Sequence, residues 1–307
     1  MRSVNTKAYI AALLYAFIVG FSFLGTKTCV EVTTPLLTLV WRYNMGCLGG
    51  LILIIFGIVR FSIKGRDSKK LLLPAAFYIG FMAVQALGLS LATSIEGGIV
   101  FAMVPIFAQG AAFFLLKERT SFLQNVFIII SIAGIVIMYA WGSVGLGDIN
   151  PIGFFVLLLS SLSMALSNVF MRYARAEFKA LEVGCCIVIM GCVFFNIVFL
   201  LNVFFKGMPV AQYISPFNQE MGGAFLVAII YLGIPCMLFT SALITYALSR
   251  IEAVKGTIFG NLSLVIAVLA GMLLKGEPFF IYHFISTFLI VIGVIGTNIF
   301  SIKKEEV

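Results

Sequence analysis

Residues 113–122 read FFLLKERTSF, and residues 271–280 read GMLLKGEPFF. In each stretch a short charged turn separates two long apolar runs. Sliding the sequence against itself by 159 positions superposes the two turns and brings Glu118 onto Glu277. This repetition predicts that the chain consists of two homologous units, each ending in the same pair of elements.

The apolar runs around these turns are long enough to cross a membrane. Apolar residues make up 62% of the 307-residue chain and charged residues only 10%, unlike the balance of a soluble domain. Continuous runs of about 20 apolar residues span the hydrocarbon layer as helices, whereas strands of a membrane barrel alternate. The sequence therefore predicts an all-α integral membrane protein with ten transmembrane helices. The ten windows are residues 8–27, 35–59, 71–92, 97–116, 122–141, 151–171, 183–205, 222–248, 257–275 and 279–300.

Five of these helices belong to each unit, at residues 8–141 and residues 151–300. Because five is odd, the second unit enters the membrane from the opposite side, and the two units form an inverted repeat. Inverted repeats are typical of secondary transporters, in which two similar halves exchange conformations around a central site. A bundle that was enlarged by duplication and transports nothing is the alternative.

The basic residues predict how the bundle is oriented. The net charge is +8, and sixteen Lys and Arg residues fall in ends and loops on the side of the N-terminus, against three on the other side. Such an excess marks the cytoplasmic face, so we expect a multi-pass protein of the cell (cytoplasmic) membrane with both termini in the cytoplasm. The basic residues form no patch interleaved with aromatics, which argues against a nucleic-acid partner. The six cysteines contain no C-x-x-C pair, and we expect no metal and no cofactor.

Three stretches carry a resemblance to a known family. They are TLVWRYNMG at residues 38–46, LATSIEGGIVFAMVPIFAQGAAFFLLKERTSF at residues 91–122, and ALSRIEAVKGTIFGNLSLVIAVLAGMLLKGEPFF at residues 247–280. Together with the two five-helix units, they resemble the ten-helix EamA members of the drug/metabolite transporter superfamily. The resemblance implies export, less often import, of amino acids and related small metabolites through a central cavity between the repeats.

The second unit departs from the pattern of the first at two positions. Leu264 stands where Pro105 would fall, and Ile187 stands opposite Arg42. The departures argue against strictly symmetric roles for these residues. Pro105 and Pro235 are each expected to kink their helix, the fourth and the eighth.

Arg42 is an ionisable residue well inside a predicted helix, about 12 Å along it. A charge at that depth is costly unless it is paired or hydrated, which makes Arg42 a candidate binding residue. A structural role is the alternative, in which Arg42 reaches the interface or binds helix-end carbonyls or Glu31. Glu118 and Glu277 lie at helix ends, where we expect them to bind backbone amides of the following helix.

Uncharged polar residues inside the helices are the other candidates. Lipid offers them no partner, so they should face the bundle or a hydrated cavity, although serines more often serve helix packing. Ser163 and Asn168 lie on one polar side of the sixth helix, and Ser22 lies in the corresponding part of the first. The predicted substrate-binding residues are Ser22, Arg42, Tyr78, Gln85, Gln109, Ser163, Asn168, Tyr231 and Asn261.

These features predict a transporter of small neutral or zwitterionic metabolites such as amino acids, working by alternating access. Its cavity should be lined by helices one, three, four, six, eight and nine, and a monomer is sufficient for the mechanism. A sugar-nucleotide or other phosphorylated cargo would require Lys or Arg deep in helix four or nine, and a proton-driven multidrug or cation exporter would require a carboxylate in mid-helix. The sequence shows neither. A membrane-embedded enzyme or a scaffold is the rival from another class, and an enzyme would need an acid–base cluster that the sequence lacks.

The antiparallel arrangement can be tested with reporter tags inserted after the fourth and after the ninth predicted helix. Because the two turns occupy the same place in oppositely oriented units, the first tag should be cytoplasmic and the second extracytoplasmic. Protease protection in intact and opened cells measures both. Two tags in the same compartment would contradict the inverted repeat.

Overall fold

A computed structural model describes residues 6–59, 67–116, 121–142, 149–174, 177–248 and 253–300, and these residues are helical almost throughout. The first repeat contains α1 (Thr6–Val32), α2 (Pro35–Ile55), α3 (Leu72–Leu91), α4 (Ser94–Phe101), α5 (Val104–Leu116) and α6 (Phe122–Trp141). The second contains α7 (Pro151–Ala174), α8 (Ala180–Lys206), α9 (Gly222–Gly233), α10 (Thr240–Leu248), α11 (Ala253–Lys275) and α12 (Ile281–Ile299). The fourth and eighth predicted helices are thus each divided in two.

The described helices have the length and surface of a membrane bundle. Nine helical segments within the described residues are long and apolar enough to cross a membrane, and the tenth, Phe259–Lys275, is a shorter apolar helix. Large apolar side chains cover the outside of the bundle, among them Phe114, Phe122 and Phe205, each about 80% exposed. Such a surface suits lipid and not water. The predicted all-α, multi-pass membrane fold is confirmed.

Prolines explain both divided helices. Pro105 has no N–H, and its ring crowds the carbonyl of Phe101, the residue at which α4 ends. The amides of Ala102 and Met103 bond back to residues 98–100 before α5 begins. Pro235 starts a π-helical segment, Pro235–Phe239, that joins α9 to α10. Such turns expose backbone groups that regular helices conceal.

The two repeats are related by an approximate two-fold axis. Helix α2 packs on α8 and α6 packs on α12, so each of these pairs joins equivalent helices of the two repeats. Helix α1 packs on α9, α10 and α11 of the second repeat, just as α7 packs on α3, α4 and α5 of the first. Exchanging the repeats leaves this pattern unchanged, which is the property of an isologous interface.

The contact between α6 and α12 shows the two-fold relation at single residues. A Cβ atom on Gly134 would lie 3.0 Å from the carbonyl oxygen of Ser286, and one on Gly293 would lie 2.6 Å from that of Phe127. The offset of 159 positions relates Gly134 to Gly293 and Phe127 to Ser286. Equivalent glycines therefore let equivalent backbones approach closely, as small residues do in membrane helix pairs.

The bundle has two ends, which we call proximal and distal. Helices α1, α3, α6, α8 and α11 begin at the proximal end, and α2, α7 and α12 end there. The distal end contains the turn between α3 and α4 and the turn between α11 and α12. The predicted positive-inside orientation would place the proximal end in the cytoplasm.

At the distal end, Glu277 joins the two repeats. Its carboxylate accepts hydrogen bonds from the backbone amides of Ser94 and Ile95 at 2.9 and 3.0 Å, and from Ser94 Oγ at 2.8 Å. These amides belong to the first turn of α4, where helical N–H groups have no partner in their own helix. The expectation that Glu277 binds the following helix is wrong, because α12 is not its partner. Glu118 lies outside the described residues.

At the same end of the bundle, Lys27 binds the carbonyl groups at the end of α3. Its Nζ donates to the carbonyl oxygens of Leu89 and Ala92, at 3.1 and 2.8 Å, where α3 ends. Glu31 Oε1 lies 3.9 Å from Lys27 Nζ, and Glu31 also forms an ion pair with Lys275. A positive charge thus satisfies the C-terminus of α3 and a negative charge the N-terminus of α4, in accordance with the helix dipole.

Removing the Glu277 carboxylate should destabilise the bundle. We expect Glu277→Ala to cost about 1–3 kcal/mol, because several donors at the start of α4 lose a charged acceptor. Glu277→Gln should cost less, since one oxygen remains. Thermal unfolding of the purified protein in detergent measures both.

Glu31→Gln is the matched control, because it removes an exposed ion pair at the same end, worth under about 1 kcal/mol. A melting temperature lowered equally by Glu31→Gln and Glu277→Ala would show that the hydrogen bonds from α4 to Glu277 contribute no more to stability than an exposed ion pair.

Candidate functional site

A cavity of about 570 Å³ lies between the two repeats. This volume is in the range of small-molecule sites. Helices from both repeats line it, including α2, α8 and α12, which the sequence prediction of six lining helices omitted. Helix α8 contributes only apolar residues and glycine, and α12 contributes only Asn298 in its last turn, whereas α2 contributes Arg42, one of the predicted binding residues. The cavity is therefore enclosed by more of the bundle than the six predicted helices.

The cavity reaches the proximal end and stops before the distal end. Met171 near the end of α7, Gly184 near the start of α8 and Asn298 near the end of α12 all line it. Its deep part contains Arg42 and Gln85, each more than halfway along its helix from the proximal end. The cavity is thus a pocket closed on one side.

Three aromatic rings pack together in the cavity wall. The ring of Phe101 lies 5.3 Å from that of Phe23 and 5.8 Å from that of Phe81, measured between centroids, and all three line the cavity. These distances are typical of packed aromatic pairs. The polar contacts of Lys27 and Glu277 lie beyond the cavity, at the distal end.

The structure brings six of the nine predicted site residues to this cavity. They come from α1, α2, α3, α7 and α11, that is, from both repeats. These residues are Ser22, Arg42, Tyr78, Gln85, Asn168 and Asn261. No other part of the described structure gathers so many of the predicted residues.

The other three predicted residues lie elsewhere. Gln109 lines a separate pocket with Asn125 on α6, although Val104 and Pro105 at the start of α5 line the cavity. Ser163 donates to the carbonyl oxygen of Phe77 at 2.8 Å and so ties α7 to α3. Tyr231 donates to the carbonyl oxygen of Ile18 at 2.7 Å and ties α9 to α1. The last two groups are satisfied by the bundle itself.

Arg42 is the only charged residue among the described residues that line the cavity. It is 3% exposed, and its Nη1 donates to Thr26 Oγ1 at 3.2 Å. Its Nε has no hydrogen-bond partner. Thr26 in turn donates to the carbonyl of Ser22, one turn earlier in α1. The guanidinium is therefore positioned by α1 but only partly satisfied by it.

The uncharged polar groups of the cavity are also incompletely satisfied. Asn261 is 7% exposed, and its Nδ2 has no partner. The described structure contains no hydrogen bond to the side-chain amides of Gln85 or Asn168, or to the phenols of Tyr15 or Tyr78, and these residues line the cavity. Buried polar groups in proteins are nearly always paired, and the unpaired Nδ2 of Asn261 requires an explanation. A bound polar solute or ordered water in the cavity supplies that explanation.

The described residues contain no cluster of three or more His, Cys, Asp or Glu side chains that could hold a metal ion. All six cysteines are free, and Cys236 lines the cavity while donating weakly to the carbonyl of Ile18. The chemistry that the cavity offers is therefore hydrogen bonding and one positive charge.

Sequence reasoning missed several lining residues. Asn298 and Thr240 carry polar groups into the cavity, and Phe81 and Phe101 form part of its wall. Asn298 is a polar residue in an apolar window and could have been found by the same rule as Asn261. The aromatic lining residues gave no signal, because the chain contains 31 phenylalanines and most patterns of them are compatible with lipid.

Comparison with a solved crystal structure agrees with this architecture. That protein superposes on the present one with a TM-score of 0.57 at 17% identity, over 95% of this chain and 98% of the other. At this identity the likeness concerns the fold alone.

Sequence comparisons identify the family. The chain is 36% identical to the Bacillus subtilis (strain 168) protein named uncharacterized transporter YcxC, over 100% of this chain and 97% of that protein. It is 22% identical to uncharacterized transporter YyaM of the same organism, over 97% and 95% of the two chains. The model of the EamA-like transporter family matches residues 6–140 and residues 151–299. These matches cover both repeats, and the chain belongs to the EamA-like transporter family.

Proposed function

We propose that this membrane transporter carries small neutral or zwitterionic metabolites, such as amino acids and their derivatives, and that it exports them by alternating access. The observation that supports this most directly is the cavity between the two repeats, which reaches only one end of the bundle. Its lining offers amides, phenols and hydroxyls together with a single positive charge. Such a lining suits solutes that carry little net charge.

In this proposal the structure is the inward-facing state. The cavity reaches the proximal end, which the positive-inside excess assigns to the cytoplasm. The contacts of Lys27 and Glu277 lie between the cavity and the other side. Exchange of conformations between the two repeats would open the distal end and close the proximal one.

Two rival cargoes fit the cavity less well. A sugar nucleotide or another phosphorylated solute carries two or more negative charges, whereas the described lining contains one cation. Proton-driven export of cations uses a carboxylate that is protonated alternately, and no Asp or Glu belongs to the described lining. A flux measurement that includes phosphorylated and cationic solutes would detect either rival cargo.

The direct test is flux through proteoliposomes that contain the purified protein. A panel of radiolabelled amino acids, nucleosides, sugar phosphates and quaternary amines is offered in turn. We expect amino acids or their derivatives to move faster than in empty liposomes, and phosphorylated and cationic solutes not to move. Movement of none of the panel would contradict the proposed function.

Gln85→Leu and Asn261→Leu should each reduce flux about tenfold or more, because each removes a side-chain amide from the cavity. Leucine is apolar, so both variants should still insert into the membrane. Gln109→Leu is the matched control, since the same change is made outside the cavity, and it should leave flux within about twofold. Normal flux through both cavity variants would exclude them from the site.

The direction in which the cavity opens can be measured by thiol labelling. A membrane-impermeant maleimide should react with Asn168→Cys in inside-out vesicles faster than in right-side-out vesicles. Ser90→Cys, exposed at the distal end of α3, should show the opposite preference. Each rate is corrected for the labelling of the parent chain. Equal rates for Asn168→Cys from both sides would contradict a pocket open only to the cytoplasm.

A further inference from the structure

We infer that the cavity binds its cargo through one carboxylate group, held by Arg42, with the apolar body of the cargo against the apolar lining residues of α7 and α8. The inference rests on the proposed function and specifies the ligand of the same site. Its basis is the charge of the cavity, the unsatisfied donors around Arg42 and the apolar lining residues that α7 and α8 contribute.

The charge of Arg42 is not neutralised by the described protein. None of the ion pairs found within the described residues includes it, and its one hydrogen bond is to the neutral hydroxyl of Thr26. Removing a cation from water costs several kcal/mol unless a counter-charge replaces the lost hydration. While the cavity is open, water can hydrate the Arg42 cation. When the cavity closes around its cargo and excludes water, the cargo must supply the counter-charge.

A carboxylate matches what Arg42 lacks. The guanidinium presents a planar fork of N–H donors, and a carboxylate accepts two of them side by side. Tyr78 lies close enough to Arg42 for the two groups to interact electrostatically, and its phenol is a further donor without a described partner. A phosphate dianion would leave one negative charge uncompensated. The site therefore fits a monoanionic, planar group.

The part of the lining that α8 contributes, next to α2, is apolar. At the position in α8 that corresponds to Arg42 in α2, the second repeat has Ile187, and Ile187 lines the same cavity. Val183 and Val188 of α8 and Met164 and Met171 of α7 also line it. Methionine side chains adapt to apolar groups of different shapes. These apolar residues would accommodate an aliphatic or aromatic body and not a second charged end.

The charge of Arg42 and the apolar lining residues predict how strongly solutes of different charge bind. A carboxylate-bearing solute lowers the cost of closing the cavity around Arg42, whereas a cationic solute raises it. The ammonium group of an amino acid would be met by the oxygens of Gln85, Asn168 or Asn261, which are weaker partners than a carboxylate. The carboxylate is thus the group that determines recognition.

Four probes with the same branched aliphatic body test this in the unmodified protein. They are 4-methylpentanoate, leucine, 4-methylpentanamide and leucinamide, of charge −1, 0, 0 and +1. Binding is measured as thermal stabilisation of the purified protein in nanodiscs. We expect the two carboxylates to half-saturate at concentrations about tenfold or more below those of the matched amides. Each acid differs from its matched amide only in the carboxylate, and the two pairs differ from each other only in the α-ammonium group, so the same preference in both pairs isolates the carboxylate.

Variants then assign the effect to Arg42. Arg42→Gln should remove the preference for carboxylates, and Arg42→Lys should retain part of it, since the charge remains while the fork is lost. Gln109→Leu should leave the preference unchanged. Should Arg42→Gln fail to fold, the comparison of acids with amides in the unmodified protein still decides the question.

The outcomes separate this inference from the proposed function. Equal stabilisation by acids and amides would overturn the carboxylate site, even if proteoliposomes transport neutral solutes. Stabilisation by chloride at the concentrations at which 4-methylpentanoate acts would reassign Arg42 to inorganic anions and also overturn it. Carboxylate binding that depends on Arg42, in a protein that moves no solute, would support the carboxylate site and contradict the proposed transport function.

Discussion

The lipid bilayer imposes the constraint on which this structure depends: inside it, a polar group finds partners only within the protein or in a hydrated cavity. Most polar groups of the described helices meet that constraint internally. Glu277 satisfies the start of α4, Lys27 satisfies the end of α3, and Ser163 is satisfied by a carbonyl of α3. Seven buried side-chain atoms of the described residues have no hydrogen-bond partner, and two of them, Arg42 Nε and Asn261 Nδ2, belong to residues that line the cavity. These two are the unsatisfied groups that a bound solute can reach.

The fold could be predicted from the sequence because its signals are local. Each run of about 20 apolar residues predicts one helix independently of the rest of the chain. An odd number of helices per repeat then determines that the two repeats are inverted. The partner of Glu277 could not be predicted in this way. Its ligand, the first turn of α4, lies about 180 positions away in the sequence. Only the packing of α11 against α4 brings them together, and no sequence pattern within either repeat encodes it.

The site was less predictable, because a polar residue in a membrane helix satisfies the same sequence rule whether it faces a cavity or a neighbouring helix. Chemistry accounts for part of the difference. A hydroxyl needs only one carbonyl to be satisfied, and Ser163 and Tyr231 each find one on an adjacent helix. A side-chain amide has two donor hydrogens and an acceptor and so needs more partners. Gln85, Asn168 and Asn261 lie in the cavity, whereas Asn44 and Asn196 bond to each other between α2 and α8.

The two repeats need equal shapes but not equal chemistry. Alternating access requires that each half can adopt the conformation of the other, and the paired glycines of α6 and α12 show how closely the backbones correspond. The solute, however, remains in the same cavity while the halves exchange. If both α2 and α8 carried an arginine, the cavity would hold two cations, and if both carried an isoleucine, it would hold none. With Arg42 in one and Ile187 in the other, the cavity has one cation, and the lining that α8 contributes is apolar. In the proposed mechanism, the loss of symmetry at this one pair would give the bound molecule a defined orientation that the symmetric motion does not disturb.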